Sequence, residues 1–289
     1  MHQEKFVNYL SSEKRFSEHT IVAYSTDLSQ FIQFLSANFQ IKDEVSEINF
    51  QIVRSWIASL LEEGVSPRSV NRKISTLKTY FRYLIREQVI LESPMLKVVA
   101  PKSKKRLPIF IEEYQIESLL NKVEFDDGFV GERDKLIIEL FYVTGIRLSE
   151  LINIKVSDVD YNNNLIKVLG KRNKERLIPL SVSIINNIKL FTKKNDVNNY
   201  LFTNLGGTKV YTKLVYRVVK KYIGKISSIN KKSPHILRHT FATHMLNNGA
   251  DINAIKELLG HANLSATQVY THNTIEKLKS VYKQAHPRA

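Results

Sequence analysis

Six side chains in the second half of the sequence form a set that suits attack on a phosphodiester. They are Arg147, Lys171, His235, Arg238, His261 and Tyr270. An arginine side chain is planar and stays charged, so it binds two phosphate oxygens at once. A tyrosine hydroxyl has an ordinary pKa of about 10, so as a nucleophile it needs a base or a strong positive field. With a lysine and two histidines available to move protons, the set predicts phosphoryl-transfer chemistry.

The local sequence predicts that three of these residues lie at or near the starts of two helices. Arg147 follows the Thr144-Gly145 break, at the start of a helix whose backbone N–H groups favour an anion. Ser233-Pro234 begins another helix, with serine as the cap and proline in the first turn. His235 and Arg238 are three residues apart in that helix, so we expect them to share one face.

The other three residues are predicted at or after turns. Two short apolar strands flank a hairpin tip that carries Lys171. A helix ends at Gly260, which delivers His261 from a turn. Ser265 then caps a short helix that carries Tyr270.

Each residue alone has an ordinary explanation. A single tyrosine at a helix edge is usually part of a core or an interface, and Lys171 alone is a solvated lysine. His235 and His239 have the spacing of a zinc-binding pair. The residues between them lack the glutamate of a zinc protease, and Arg238 would put a cation beside the metal, so no metal site is expected. The prediction therefore depends on the whole set.

The charge of the chain indicates an anionic partner. Its 289 residues include 43 Lys and Arg against 28 Asp and Glu, a formal net charge of +15. Such an excess is typical of proteins that bind nucleic acid or an anionic surface. The sequence has no cysteine, which excludes disulfides, thiol nucleophiles and cysteine-ligated zinc. It has no apolar signal core and no apolar run near the ~18 residues of a membrane span, so we expect a cytoplasmic location.

The chain length favours two domains. Residues 1–100 are predicted as an N-terminal helical domain. The stretch 101–108 is basic and bounded by prolines, which predicts an extended linker. Residues 109–289 are predicted as a second domain that combines helices with a small antiparallel β-sheet, so the fold class is mainly α (α+β).

The predicted elements follow from hydrophobic periodicity and from caps. Helices are expected over 19–39, 50–61, from Ser66 onward, 111–123, 132–143 and 149–152, with strands over 165–169 and 176–180 and further helices after 181.

A basic stretch in the first domain predicts a surface that contacts phosphates. From Ser66 to Arg106 there are eleven Lys or Arg residues against two Glu. A charge run is usually a solvated face, and the linker is equally compatible with an ordinary tether. A run this one-sided, in so basic a chain, favours nucleic-acid binding. The candidate DNA-binding residues are Arg68, Arg72, Lys73, Lys78, Lys104, Lys105 and Arg106, with Lys171 and Lys174 at the hairpin.

The order and spacing of these motifs closely resemble those of the tyrosine recombinases, the phage-integrase family, and of the Xer-type chromosome-dimer resolvases within it. The matching segments are Thr144–Leu151, Gly170–Pro179, Ser233–His244, Leu258–His261 and Thr267–His272. The resemblance covers the whole catalytic half, and the N-terminal helices resemble the family's SAM-like core-binding domain. One departure is Ile146, which stands where the family often has leucine, a conservative apolar change.

The resemblance implies a nucleophile and a phosphate clamp. Tyr270 would attack the scissile phosphate to form a 3′-phosphotyrosine and free a 5′-hydroxyl. Arg147 and Arg238 would clamp the phosphate, and His261 would hydrogen-bond to it.

The resemblance also implies how protons move and how strands rejoin. Lys171 would protonate the leaving oxygen, and His235 would serve as the acid–base partner. The 5′-hydroxyl of another strand would then reverse the step through a Holliday junction. Because the energy of the cleaved bond is kept in the covalent link, neither a metal ion nor ATP is expected as a cofactor.

The implied partners are double-stranded DNA with specific recombination sites and further recombinase subunits. The subunits would form a homo- or hetero-tetramer on two DNA sites, alone or with a paralogous recombinase, in the nucleoid. In the family, a tail such as Thr274–Gln284 docks onto a neighbouring protomer. Periodicity alone is equally compatible with packing of this tail on its own domain.

Three other functions share part of this pattern. The same active site can relax supercoils as a type IB topoisomerase, but the core-binding-type helices and the tail helix favour recombination. A catalytically idle DNA-binding protein needs only basic charge and helices, and the complete set of six argues against it. An integrase of a mobile element has the same residues, but the compact length favours a Xer-type role in resolving chromosome or plasmid dimers.

Overall fold

The computed structural model describes residues 2–42, 44–102, 109–170, 174–229, 232–260 and 272–289. The chain divides into two compact units, residues 1–106 and 107–289, each with its own hydrophobic core. The division falls within the stretch that the sequence predicts as a linker. The fold is mainly helical, with a three-stranded antiparallel sheet in the second unit, as the sequence predicts.

The helices of the first unit are α1 Gln3–Asn8, α2 Glu18–Phe39, α3 Phe50–Glu62 and α4 Pro67–Arg86, with a π-helical turn at Tyr9–Glu13. Helix α4 begins as predicted, because Ser66 accepts a hydrogen bond from the backbone N–H of Ser69 at 3.3 Å and Pro67 occupies the first turn. The helical prediction is wrong for the end of this unit. Gln88 adopts a left-handed conformation (φ 58°) just after α4, and the chain continues to residue 102 without a further helix.

A buried carboxylate joins α2 to α4. Asp27 on α2 is fully buried, and its side chain accepts hydrogen bonds from Lys73 at 2.9 Å and from Thr76 at 3.0 Å. Arg72 also pairs with Asp27, and Lys73 also donates to Gln30. Breaking such a pair from one side leaves an uncompensated buried charge, so these contacts fix how α4 packs on α2.

The elements of the second unit are α5 Glu113–Asn121, α6 Gly128–Thr144, α7 Leu148–Leu151, β1 Val159–Asp160, β2 Leu165–Leu169, β3 Glu175–Pro179, α8 Val182–Lys194, α9 Thr212–Ile226, α10 Pro234–Asn247, α11 Ile252–Leu259 and α12 His272–Ala285. Helix α6 is the central one, since it packs against α8, α9 and α10 and is buried on most of its surface. Within the described ranges, every helix is too short or too polar to cross a membrane.

The predicted hairpin is present in the sheet. Strands run in the order β1-β2-β3, all antiparallel, and the register pairs Val168 with Arg176 and Leu169 with Glu175. The backbone N–H of Gly170 donates to the carbonyl of Lys174 at 2.8 Å, which closes the hairpin just beyond the strands. Because side chains alternate along a strand, exposed Glu175 is followed by buried Arg176, which lies on the inner face of the sheet.

Helix α12 packs on its own unit, against α10, α11 and β3. Leu278 and Tyr282 are buried, and the side chain of Asn248 donates to the carbonyl of Ala285 at 3.0 Å. In this single chain the tail therefore packs on its own unit.

Candidate active site

Arg147 precedes α7 and is held at both its backbone and its side chain. Its backbone N–H donates to Glu150 Oε2 at 2.7 Å, and its Nη1 donates to Glu150 Oε1 at 2.8 Å. Its Nη2 donates to the carbonyl of Gly260, at the end of α11, at 3.0 Å. The start of α7 was predicted as an anion site, but the chain's own carboxylate takes the Arg147 N–H. The Arg147 N–H is therefore not available to a bound anion.

Arg238 reaches the same place from α10. Its Nη1 donates to the carbonyl of Gly145 at 2.7 Å, and its Nη2 donates to the carbonyl of Leu259 at 2.8 Å. The two arginines thus bind neighbouring carbonyls at the C-terminal end of α11. Burial, together with the charge of Arg147, lowers the pKa of Arg238 to about 10, so the group stays charged at neutral pH but gains from a bound anion.

Gly145 allows this convergence. It ends α6 in a left-handed conformation (φ 59°), and a Cβ at this position would lie 2.5 Å from Phe241 and 2.7 Å from Leu259. Only glycine adopts such a conformation at little cost, and only glycine fits so closely against α10 and α11. The break between Thr144 and Arg147 is therefore also the contact that brings the two arginines together.

Glu150 is the buried acceptor beneath the arginine pair. It is 3% exposed and also forms a bidentate pair with Arg176, with both N–O distances 2.9 Å. Burial pushes the pKa of Glu150 upward, but the hydrogen bonds from Arg176 and Arg147 outweigh it and hold the pKa below its usual range. The guanidinium groups of Arg147 and Arg176 thus bind one ionised carboxylate, and that of Arg238 lies near enough to interact with its charge. The local charge is net positive, as binding of a phosphate requires.

His235 lies one turn before Arg238 on α10, as the spacing predicts. Its side chain is exposed, yet partial burial, together with the nearby charge of Arg238, lowers its pKa. A histidine that is neutral at physiological pH can accept a proton, so His235 suits the role of a base. His239 is exposed, whereas His244 is buried and pairs with the hydroxyl of Tyr142 at 3.1 Å. Among the described residues, no group of three or more acidic or histidine side chains could hold a metal ion.

Three of the six predicted residues, Lys171, His261 and Tyr270, lie outside the described residues. The structure brings together the other three, which are Arg147, His235 and Arg238.

The predicted DNA-binding residues fall into different environments. Arg68 and Lys78 are exposed on α4, and Lys174 is exposed just before β3. Arg72 is partly exposed but paired with Asp27, and Lys73 is only 6% exposed and also bound to Asp27. The ammonium group of Lys73 therefore does not face solvent, and its contacts are structural. Lys104, Lys105 and Arg106 lie outside the described residues.

The structure shows a second basic face that was not predicted from the sequence. Helix α9 exposes five cations along one side, with Tyr211 48% exposed just before the helix and Tyr216 37% exposed on it. The cations are Lys213, Arg217, Lys220, Lys221 and Lys225. The sequence signal was available, since α9 contains no acidic residue.

Comparison with known proteins assigns both parts of the chain to the same family. Residues 110–277 match the model of the phage integrase family, and residues 4–88 match that of the phage integrase N-terminal SAM-like domain. A tyrosine recombinase XerC from Listeria innocua serovar 6a is 41% identical over 295 residues, which cover 99% of this chain and 98% of the relative. A tyrosine recombinase XerC from Staphylococcus aureus (strain NCTC 8325) is 40% identical over 292 residues, covering 99% and 97%.

Solved structures share the fold. The XerH site-specific recombinase bound to its difH substrate, in a pre-cleavage complex, superposes with a TM-score of 0.71 at 23% identity. The match covers 97% of this chain and 84% of that one. A lambda integrase dimer bound to a core site has a TM-score of 0.70 at 19% identity, covering 92% and 97%.

Proposed function

The chain belongs to the phage integrase family of tyrosine recombinases, and from that premise we propose that it is a site-specific DNA recombinase that cleaves and rejoins strands through Tyr270. The observation that carries this proposal is the pair of guanidinium groups of Arg147 and Arg238, held side by side by backbone carbonyls. Such preorganised donors stabilise the charge that develops on a phosphate during displacement.

In the proposed reaction, the hydroxyl oxygen of Tyr270 attacks phosphorus and displaces the 5′-oxygen of the next nucleotide. Neutral His235 suits the removal of a proton, and Lys171 supplies one to the departing oxygen. Arg147, Arg238 and His261 bind the non-bridging oxygens. The 3′-phosphotyrosine keeps the bond energy, so the 5′-hydroxyl of a second strand can reverse the step and pass the DNA through a Holliday junction.

We assign DNA binding to two basic faces, one in each unit. The first comprises Arg68, Arg72 and Lys78 on α4, and the second comprises the exposed cations of α9 with Lys174. Lysine and arginine contacts to phosphates position a protein on duplex DNA without reading its sequence. The exposed tyrosines beside the α9 cations add side chains that can stack or hydrogen-bond.

The biological role that we propose is Xer-type resolution of chromosome or plasmid dimers, in the cytoplasm at the nucleoid. The support is the identity of about two residues in five with XerC proteins over nearly the whole length of both chains. The working unit would be a tetramer on two sites, alone or with a paralogous recombinase. A mobile-element integrase remains the alternative role, because the chemistry is the same.

A suicide substrate tests the proposed chemistry. DNA sites selected from a random pool are nicked near the cleavage position, so the freed fragment diffuses away and the covalent adduct accumulates on a denaturing gel. Wild-type protein should form the adduct and Tyr270→Phe should bind but form none. Tyr114→Phe, which changes a tyrosine that is 70% exposed on α5, should behave as wild type.

Two results would contradict the proposal. An adduct that survives Tyr270→Phe would refute the nucleophile. Relaxation of plasmids regardless of sequence and of site pairing would favour a type IB topoisomerase instead.

A further inference from the structure

A buried arginine outside the six candidate residues contacts both the support of the arginine pair and the end of α11. Arg176 on β3 has a side chain that is 5% exposed. Its Nε donates to the carbonyl of Leu258 at 2.8 Å, and its two Nη atoms donate to the two oxygens of Glu150, each at 2.9 Å. Every nitrogen of the guanidinium group thus has an acceptor within the second unit.

The partners of Arg176 are the groups that hold the phosphate-binding arginines. Glu150 binds both the backbone and the side chain of Arg147. The carbonyl of Leu258 is followed by those of Leu259 and Gly260, which bind Arg238 and Arg147. One guanidinium group therefore ties β3, α7 and the end of α11 into a single unit.

Two glycines show how closely the backbone is packed on Arg176. A Cβ at Gly260 would lie 3.1 to 3.3 Å from its guanidinium group and Cδ, tighter than ordinary contact. A Cβ at Gly170 would lie 3.5 Å both from Arg176 Nη1 and from Glu150 Oε1. In the sequence these glycines immediately precede Lys171 and His261.

The charge balance gives Arg176 a second effect on Arg147. A buried carboxylate is stabilised by neighbouring cations, and Glu150 accepts hydrogen bonds from both Arg147 and Arg176. Without the bidentate partner, Glu150 would either draw Arg147 more strongly to itself or take up a proton, because burial raises the pKa of a carboxyl group. Either result would change how Arg147 presents itself to a phosphate.

We propose that Arg176 is a positioning residue for DNA cleavage: by neutralising Glu150 and anchoring the end of α11, it keeps Arg147 and Arg238 aligned on the scissile phosphate. This inference rests on the proposed function. Arg176 itself is buried, so it acts through the arginine pair and not by touching DNA.

The test compares Arg176→Lys with a matched variant in the same unit. Lysine keeps the charge but replaces three directed contacts by one ammonium group. The control is Arg133→Lys, because Arg133 is also buried and bound to an acid, Asp134, and to the carbonyl of Thr203, none of which contacts the arginine pair. Thermal unfolding and DNA affinity are measured for both, together with the single-turnover rate of adduct formation at saturating protein.

We expect Arg176→Lys to slow adduct formation by about 10- to 100-fold, the usual cost of losing a supporting contact of a reactive site. DNA affinity should stay within about threefold, and the loss in thermal stability should match that of Arg133→Lys, which should cleave at the wild-type rate. In an Arg147→Ala background, Arg176→Lys should have a clearly smaller effect on the rate, because residues that act through one another are not additive.

Each other outcome is decisive. Wild-type cleavage by Arg176→Lys, or an equal effect with and without Arg147, would overturn the positioning role. If Arg176→Lys does not fold, the double variant Glu150→Gln with Arg176→Gln replaces the ion pair by two neutral amides. That variant should fold and should cleave more slowly than Glu150→Gln alone, which removes the carboxylate beside Arg147 but leaves the contact of Arg176 with Leu258. Equal rates for the two variants would again overturn the role. If wild-type protein forms no adduct at all, the proposed function fails and not this inference alone.

Discussion

Arg147 and Arg238 bind neighbouring carbonyls, those of Gly260 at 3.0 Å and Leu259 at 2.8 Å, although the first precedes α7 and the second lies on α10. The end of α11 therefore holds both guanidinium groups in place. Groups fixed in advance spend little energy on reorganisation when the reaction begins, which is the main source of electrostatic catalysis.

Removing one of these arginines should affect the chemical step far more than binding. We expect Arg238→Ala to reduce the rate of adduct formation by roughly 100- to 1000-fold. DNA affinity should change only a few-fold, because many other cations contribute phosphate contacts. Single-turnover cleavage and gel-shift titration on the same samples check this, and a parallel loss of binding would argue against a clamp on the scissile phosphate.

The glycine that brings α6 close to α10 and α11 should not tolerate a methyl group. Gly145→Ala would combine an unfavourable φ with contacts of 2.5 and 2.7 Å to Phe241 and Leu259. Gly207→Ala is the control, since Gly207 also has a positive φ (74°) but nothing within 4 Å of a Cβ. We expect Gly145→Ala to cost roughly 1 to 3 kcal/mol more in the free energy of unfolding, the range typical of overpacking. Equal costs in chemical denaturation would show that the contact yields easily.

Substitution of two lysines on α4 should affect different properties, DNA binding in one case and folding stability in the other. Lys78 is exposed, so Lys78→Ala should weaken DNA binding and reduce the slope of log affinity against log salt by about 1. Lys73 is bound to buried Asp27, so Lys73→Met should instead lower the free energy of unfolding by roughly 3 kcal/mol. Salt titrations of DNA affinity and chemical denaturation measure the two effects. If the Lys73→Met protein is as stable as wild type and has a reduced salt slope, Lys73 contacts DNA and its role is not structural.

Cleavage should persist to lower pH than an ordinary histidine would allow. The reaction needs neutral His235 as a base, and the lowered pKa keeps it neutral below the usual value of about 6.5. The rate of adduct formation should therefore decline as pH falls, with a midpoint below 6.5. His235→Gln should be slow and should lack this decline. A midpoint above 6.5 in wild-type protein would contradict a neutral base at this position.

The second unit should lose stability in mild acid through His286. Burial lowers the pKa of His286 to about 4, despite its contact with the carbonyl of Tyr142. Its Nδ1 accepts from the backbone N–H of Arg288 at 3.0 Å, so a proton on Nδ1 would break that bond. Arg288 also pairs with Glu139, and buried His244 lies across Tyr142.

The direction of the pH effect follows from these contacts. In the unfolded chain His286 takes up a proton below about pH 6.5, whereas in the folded chain it does so only near 4, so acid favours unfolding over that interval. The loss is at most about 3 kcal/mol. Thermal unfolding between pH 7 and 4 should show it, His286→Gln should flatten it, and His19→Gln, at an exposed position, should leave it unchanged. A slope that His286→Gln does not alter would assign the effect to another group.

Features with a local cause could be predicted from the sequence. The Ser66-Pro67 start of α4 and the shared face of His235 and Arg238 depend on residues within one or two turns of each other. The hairpin of β2 and β3 likewise follows from adjacent apolar runs. By contrast, the start of α6 was placed at 132 instead of Gly128, because an aspartate-rich stretch followed by glycine resembles a loop as much as a helix cap.

Features that depend on distant partners could not be predicted. Lys73 resembles its exposed neighbours on α4, and only the packing of Asp27, 46 positions earlier, buries it. Arg176 appeared as one more cation in a basic hairpin until the fold placed Glu150 and Leu258 around it. The apolar face of α12 has the same sequence pattern whether the helix packs on its own unit or on a neighbouring subunit, so periodicity could not distinguish the two arrangements.

Because α12 packs on its own unit, it would have to leave that position before subunits could join through it. Leu278 and Tyr282 already occupy a binding groove on their own unit, so a neighbour that offers the same groove provides a nearly equivalent one. Exchange of tails between subunits would then change the net free energy little, while each swap must first pull an apolar helix into water. Association by this route should be slow and should have a net free-energy change near zero, so the local concentration of subunits on DNA would decide when it happens more than intrinsic affinity would.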